Sequence, residues 1–192
     1  MPIKISRDIA LIKYRVLPLH AFDQKNDEDF YFLPDYFSFH WIALEKTTNK
    51  RLTKEFHKLI KLLEIKELII LGQINKRWIS KLTGKRKDFK SIIKALEYFN
   101  KNKINKKFNG AVKISTEEIN TFIPRFYTIT ECDGGFFDFY ITNEMQNVLF
   151  HIHYSGRIKI LTLDKEMKEK IKITLSKTKF IDSLREGTDS IK

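Results

Sequence analysis

The chain contains a single cysteine, Cys132, so it can close no intrachain disulfide and build no four-thiolate zinc site. Glycine (7) and proline (4) are sparse among the 192 residues, which excludes collagen-like and linker-dominated architectures. No uninterrupted apolar run reaches the roughly 18–20 residues that span a bilayer. Residues 1–15 lack the apolar stretch and cleavage site of a secretory leader. These absences predict a cytoplasmic protein with no membrane partner. Neither G-x-x-x-x-G-K-[ST] nor G-x-G-x-x-G occurs, and G-x-S-x-G and H-E-x-x-H are missing as well. No catalytic constellation stands out and no cofactor is expected.

What is present is enough to fold. Hydrophobic residues make up 42% and aromatic residues 13% of the chain. A domain of this length buries roughly 70% of its unfolded surface without staples. The net charge is +12, but it is unevenly placed. Residues 46–113 hold 20 Lys or Arg against 5 Asp or Glu, a surplus of +15, and the rest of the chain sums to −3. A regional excess creates a field that attracts an acidic partner. Lysine supplies 28 of the 36 basic residues, a composition that an AT-rich genome also produces without selection for binding.

The pattern predicts an α+β fold: a mixed or antiparallel sheet with a C-terminal β-meander, and helices in the middle and at the C-terminus. Residues 8–16 and 36–44 read as strands, the second with Phe37, Phe39 and Trp41 on one face. The spacing of Leu52, Phe56, Leu59, Ile60 and Leu63 predicts a helix over 52–64. Residues 67–71 (ELIIL) read as a buried strand, 74–82 as a short helix, and 86–100 as a longer helix with a lysine face at Lys87, Lys90, Lys94 and Lys101. Ser115 and Glu118 form a capping box, Pro124 is expected to stop the short helix that follows, and Asp164 to cap a final one. Residues 126–130, 136–142, 148–154 and 157–163 read as strands. The organisation is then 1–107, N-terminal strands plus basic helices, and 108–192, helix, meander and C-terminal helix, the two segments being compatible with one continuous domain.

A two-residue turn at Ser155-Gly156 would pair Tyr154 with Arg157 and put His151 and His153 beside Ile158 and Ile160. His-x-His on a strand points both imidazoles the same way and supplies half of a zinc site, with Cys132, Asp133 and Asp138 as candidate third ligands. Cys132 with His151 as base is a nucleophile pattern, whereas its bland alternative is a small apolar filler. The bland alternative for the histidines is two partly buried, hydrogen-bonded side chains.

Residues 76–92 offer a basic candidate interface. Two helices around Thr83-Gly84 would resemble a helix-turn-helix, with Lys85, Arg86, Lys87 and Lys90 at the start of the second. The structural alternative is a loop and helix whose lysines are merely solvated. The stretches KELIILGQINKRW (66–78), FNGA (108–111), YITNE (140–144) and HYSGRI (153–158) resemble small bacterial α/β proteins of the toxin-immunity type. That resemblance implies a binding protein without chemistry of its own, whose on-rate is set by charge complementarity.

The function expected from these residues is therefore non-enzymatic binding, of immunity or regulatory type. The partner is an acidic protein such as a cognate toxin, and the contact residues are Arg77, Trp78, Lys81, Lys85, Arg86, Lys87 and Lys90. Trp78 is either an interface anchor or a core tryptophan. The alternative is nucleic-acid binding through the same helix-turn-helix-like segment, and a third reading is a metal-assisted hydrolase on His151 and His153.

Overall fold

A computed structural model describes residues 1–17, 19–23, 25–32, 34–72, 75, 77–133 and 139–182. In chain order these form β1 (Ile3–Ile5), α1 (Arg7–Lys13), β2 (His20–Asp23), β3 (Glu28–Tyr31), β4 (Ser38–Ala43), α2 (Asn49–Leu62) and β5 (Glu67–Gly72). There follow α3 (Lys90–Lys101), β6 (Ala111–Ser115), α4 (Ile119–Thr130), β7 (Phe139–Asn143), β8 (Val148–Ile152), β9 (Ile158–Thr162), α5 (Lys165–Leu175) and β10 (Ile181–Asp182). The fold is α+β. Eight strands make one antiparallel sheet in the order β1-β6-β5-β7-β8-β9-β4-β10, and β2 and β3 form a separate hairpin. Residues 1–107 and 108–192 interleave within that sheet, because β5 lies between β6 and β7.

Both faces of the sheet are covered, as its strands demand: β5 and β8 are apolar at consecutive positions rather than alternating. One face carries Leu68, Ile70, Val112, Ile114, Ile141, Phe150 and Ile160 under α2, α3, α4 and α5. In that helical layer α2 contacts α5 and α4, and α4 contacts α3. The other face carries Ile69, Leu71, Ala111, Leu149 and Leu161 against Ala10, Tyr14, Leu17 and Leu19.

Several local expectations hold because their physics is local. Helix α2 buries Leu52, Phe56, Leu59 and Ile60 on one side. The capping box is formed, with Glu118 accepting from the Ser115 amide at 3.0 Å, and Asp164 Oδ1 accepts from the Met167 amide at 2.6 Å.

Four others are corrected. Residues 8–16 are mostly helix rather than strand: Ala10, Tyr14 and Leu17 recur at helical spacing and face the sheet. Pro124 does not stop α4 but sits inside it, and residues 126–130 are helical. An interior proline costs about 3 kcal/mol. Each of Phe122, Ile123, Phe126 and Ile129, all fully buried, contributes about 1.5–3 kcal/mol by burial, so the helix continues. No helix occupies 77–82; a three-residue 3-10 turn, Thr83–Lys85, is the only helical piece among the described residues between β5 and α3.

The fourth correction is the register of β8 and β9. The turn has three residues: the His153 amide donates to the Arg157 carbonyl, and Gly156 takes a left-handed φ of 79°. Ile152 then pairs with Ile158, His151 with Lys159 and Phe150 with Ile160. A one-residue slip moves a strand's whole side-chain set to the other face. His151 and His153 therefore share a face with Lys159 and Leu161, while Ile158 and Ile160 face the helices.

Candidate functional site

The segment from Arg77 to Lys90 is an ordered connection held from below. Trp78 is 1% exposed and packs among five phenylalanines, with ring centroids 4.5 Å away for Phe139 and 6.1 to 6.3 Å for Phe99, Phe122, Phe126 and Phe108. Its indole N–H donates to the Gly110 carbonyl at 2.8 Å, and its amide to the Phe108 carbonyl at 2.9 Å. Trp78 is thus a core residue and not part of any contact surface. An indole of this size surrounded by aromatic rings gains more from burial than a flexible interface could return. The helix-turn-helix geometry is likewise not formed, because the segment puts Trp78 and Ile79 into the core before turning.

From that anchor the loop projects outward. The Ser80 hydroxyl accepts from the Thr83 amide at 3.1 Å, and the Gly84 amide donates to the Ser80 carbonyl at 3.0 Å. Arg86 grips Asp88 through two hydrogen bonds, 3.0 Å from Nε and 2.5 Å from Nη2, and its Nη1 donates to the Cys132 carbonyl at 3.2 Å. The guanidinium holds the Asp88 carboxyl below its ordinary range. Arg86 also lies over the Phe89 ring, 5.6 Å from its centroid. It is therefore a fastener of the loop more than a free contact.

Arg77, Lys81, Lys85, Lys87 and Lys90 are all exposed. Sequence reasoning missed what stands between them. Leu82 is 82% exposed, and Phe89 is 57% exposed at the N-cap of α3. For Leu82 the signal was weak but present, since it precedes a Thr-Gly turn; Phe89 keeps the helical spacing of Ile92, Leu96 and Phe99, and only its place at the N-cap, ahead of the first turn of α3, leaves it outside the buried stripe. The reading also passed over α2, whose exposed side carries Lys50, Arg51, Lys54, Lys58 and Lys61.

On the opposite face of the sheet, a row of four side chains crosses four strands. Trp41 pairs with Lys159, Lys159 pairs with His151, and the His151 ring stacks on Tyr140 at 5.0 Å. The Lys159 ammonium lies 5.0 Å from the Tyr140 centroid and 5.8 Å from that of Trp41. Burial pushes its pKa down. His151 is buried, and neither ring nitrogen has a hydrogen-bond partner among the described residues. Desolvation, aided by Lys159 and His153, pushes its pKa down to about 3, so the ring is neutral.

His151 and His153 do share a face, with centroids 6.4 Å apart. Cys132, however, packs against the helix-side core and follows α4, so the sheet separates it from His151. Asp133 follows on the same side and accepts from the Ser80 amide. Neither can complete a site with the histidines, and the nucleophile pairing of Cys132 with His151 fails for the same reason. Burial also pushes the Cys132 thiol up, away from a thiolate. Asp138 lies outside the described residues. Among the described residues no group of three or more metal-ligating side chains converges, and no helix is long and apolar enough to cross a membrane.

No family model, no curated protein and no solved structure matches this chain.

Proposed function

We propose that this chain is a non-enzymatic binding protein of immunity or regulatory type. The segment from Arg77 to Lys90 docks on an acidic surface of a protein partner such as a toxin, in the cytoplasm. The observation that supports this is the pairing of apolar and cationic exposure. Leu82 and Phe89 stand exposed on a segment whose base is locked into the core, and the same segment exposes Arg77, Lys81, Lys85, Lys87 and Lys90. None of those five cations has an ion-pair partner among the described residues. An exposed aliphatic anchor with a charged rim is the composition of a protein interface. Phosphate contacts need only the cations, and an exposed leucine adds nothing to them. Without the two-helix geometry, the nucleic-acid alternative rests on charge alone.

The experiment is co-expression with the product of the adjacent reading frame, followed by size-exclusion chromatography and titration. A complex weakened about a thousandfold by Leu82→Ser with Phe89→Ser supports the reading, since two central anchors at about 2 kcal/mol each sum to about 4 kcal/mol. Lys81→Glu with Lys85→Glu should mainly slow association. Tight binding to random-sequence duplex, lost steeply with salt and indifferent to Leu82→Ser, would instead establish the nucleic-acid reading.

A further inference from the structure

A second cationic feature lies away from that loop, at the start of α2. A cavity of about 540 Å³ opens there between the loop after β4, the first two turns of α2 and the segment after α5. Five basic side chains from these three stretches line it: Lys46, Lys50, Arg51, Lys54 and Lys179. Among the described residues none of the five makes a side-chain hydrogen bond or an ion pair. Lys113 with Glu67 (2.8 Å) and Lys170 with Glu64 (3.2 Å) show cations that the fold does match to acids; these five, like the cations of the 77–90 loop, are not matched, and here they line one concavity.

Two carboxylates share the lining. Glu55 is buried, and its Oε2 is engaged by the Lys179 amide at 3.0 Å; Glu45 is exposed. The side chains lining the cavity sum to +3. Helix α2 makes the imbalance more costly. It has no acidic residue in its first turn, although the positive end of the helix dipole favours one there, and it opens on Lys50 and Arg51. Lys50 and Lys54, then Lys54 and Lys58, are like charges four residues apart, an arrangement that weakens a helix. The fold thus bears uncompensated positive charge from three chain segments around one concavity.

We propose that this cavity binds an oligophosphate chain, the di- or triphosphate portion of a nucleotide or free polyphosphate. The charge calls for a multivalent anion. Arg51 supplies a planar fork suited to paired phosphate oxygens, and the lysines supply point charges on long stems. The volume is that of a small-molecule site. The lining offers one apolar side chain, Leu44, and no aromatic ring to hold a base, so recognition is of the phosphate chain. The site shares no residue with the 77–90 loop, and either assignment can fail alone.

The test uses the full chain, thermal unfolding and isothermal titration at fixed ionic strength, with tripolyphosphate, ATP, GTP and sulfate. The expected result is a rise in Tm and saturable binding with the first three and neither with sulfate. Equal affinity for the three assigns the phosphate chain itself, and a tenfold preference for ATP or GTP assigns a nucleotide as the source; both support the site. Lys50→Glu with Arg51→Glu places acids at the positive end of α2, so the free protein should keep or gain Tm while losing the ligand-induced rise. Lys94→Glu on α3 should change neither. Absence of any shift with tripolyphosphate, an equal shift with sulfate, or an equal loss in the Lys94→Glu variant would overturn the proposal.

Discussion

Burial of an unpartnered imidazole at His151 makes acid sensitivity the sharpest expectation of the fold. In the unfolded chain this histidine titrates near 6.5. In the folded protein its pKa is pushed down to about 3, first by desolvation and then by the charges of Lys159 and His153. A base whose folded pKa is depressed stays neutral in the fold while the unfolded chain takes up the proton. The neutral form's stability is complete above about pH 6.5 and is lost as pH falls toward 3, at about 1.4 kcal/mol per pH unit. Between pH 7.5 and pH 5 the expected loss from this one group is about 2 kcal/mol. His151→Phe retains a ring to stack on Tyr140 and cannot titrate. Urea unfolding of both proteins from pH 7.5 to 4.5 isolates the residue, because carboxylates and other histidines contribute equally to each curve. The wild-type stability should fall away from the variant's by about 2 kcal/mol at pH 5. Parallel curves would refute a neutral, desolvated His151.

Two further substitutions test the packing. Trp78→Ala removes the ring around which five phenylalanines are arranged and leaves the Gly110 carbonyl without its donor; urea unfolding should show a loss of about 3–5 kcal/mol, and a loss below about 1 kcal/mol would place the indole outside the core. Gly156→Ala meets a left-handed φ of 79° and would set a Cβ against the Thr47 Cγ2. Its backbone cost of about 1–2 kcal/mol should persist when Thr47→Ala removes the Cγ2 clash, the nearest of the contacts, and a neutral Gly156→Ala would undo the three-residue turn that fixes the β8–β9 register.

The sequence by itself determined the elements whose cause is local. The ELIIL strand, the apolar stripes of α2 and α3, the Ser115–Glu118 box and the Asp164 cap each follow from residues within one or two turns of each other. The uneven placement of lysine was likewise readable along the chain. Only tertiary structure decided the rest. Whether Pro124 ends α4 depends on how much aromatic surface the following turns bury against β-strands far away in sequence. Whether Trp78 faces inward depends on Phe99 from α3, Phe108 from the loop before β6, Phe122 and Phe126 from α4 and Phe139 from β7 arriving around it. The side on which His151 lies turned on one loop residue, since a strand has period two and a single-residue shift exchanges its faces. Charge behaves the same way. Composition counts cations, but only the fold fixes which ones, like Lys113, meet a carboxylate and which, around Lys50 and Arg51, are left facing open space.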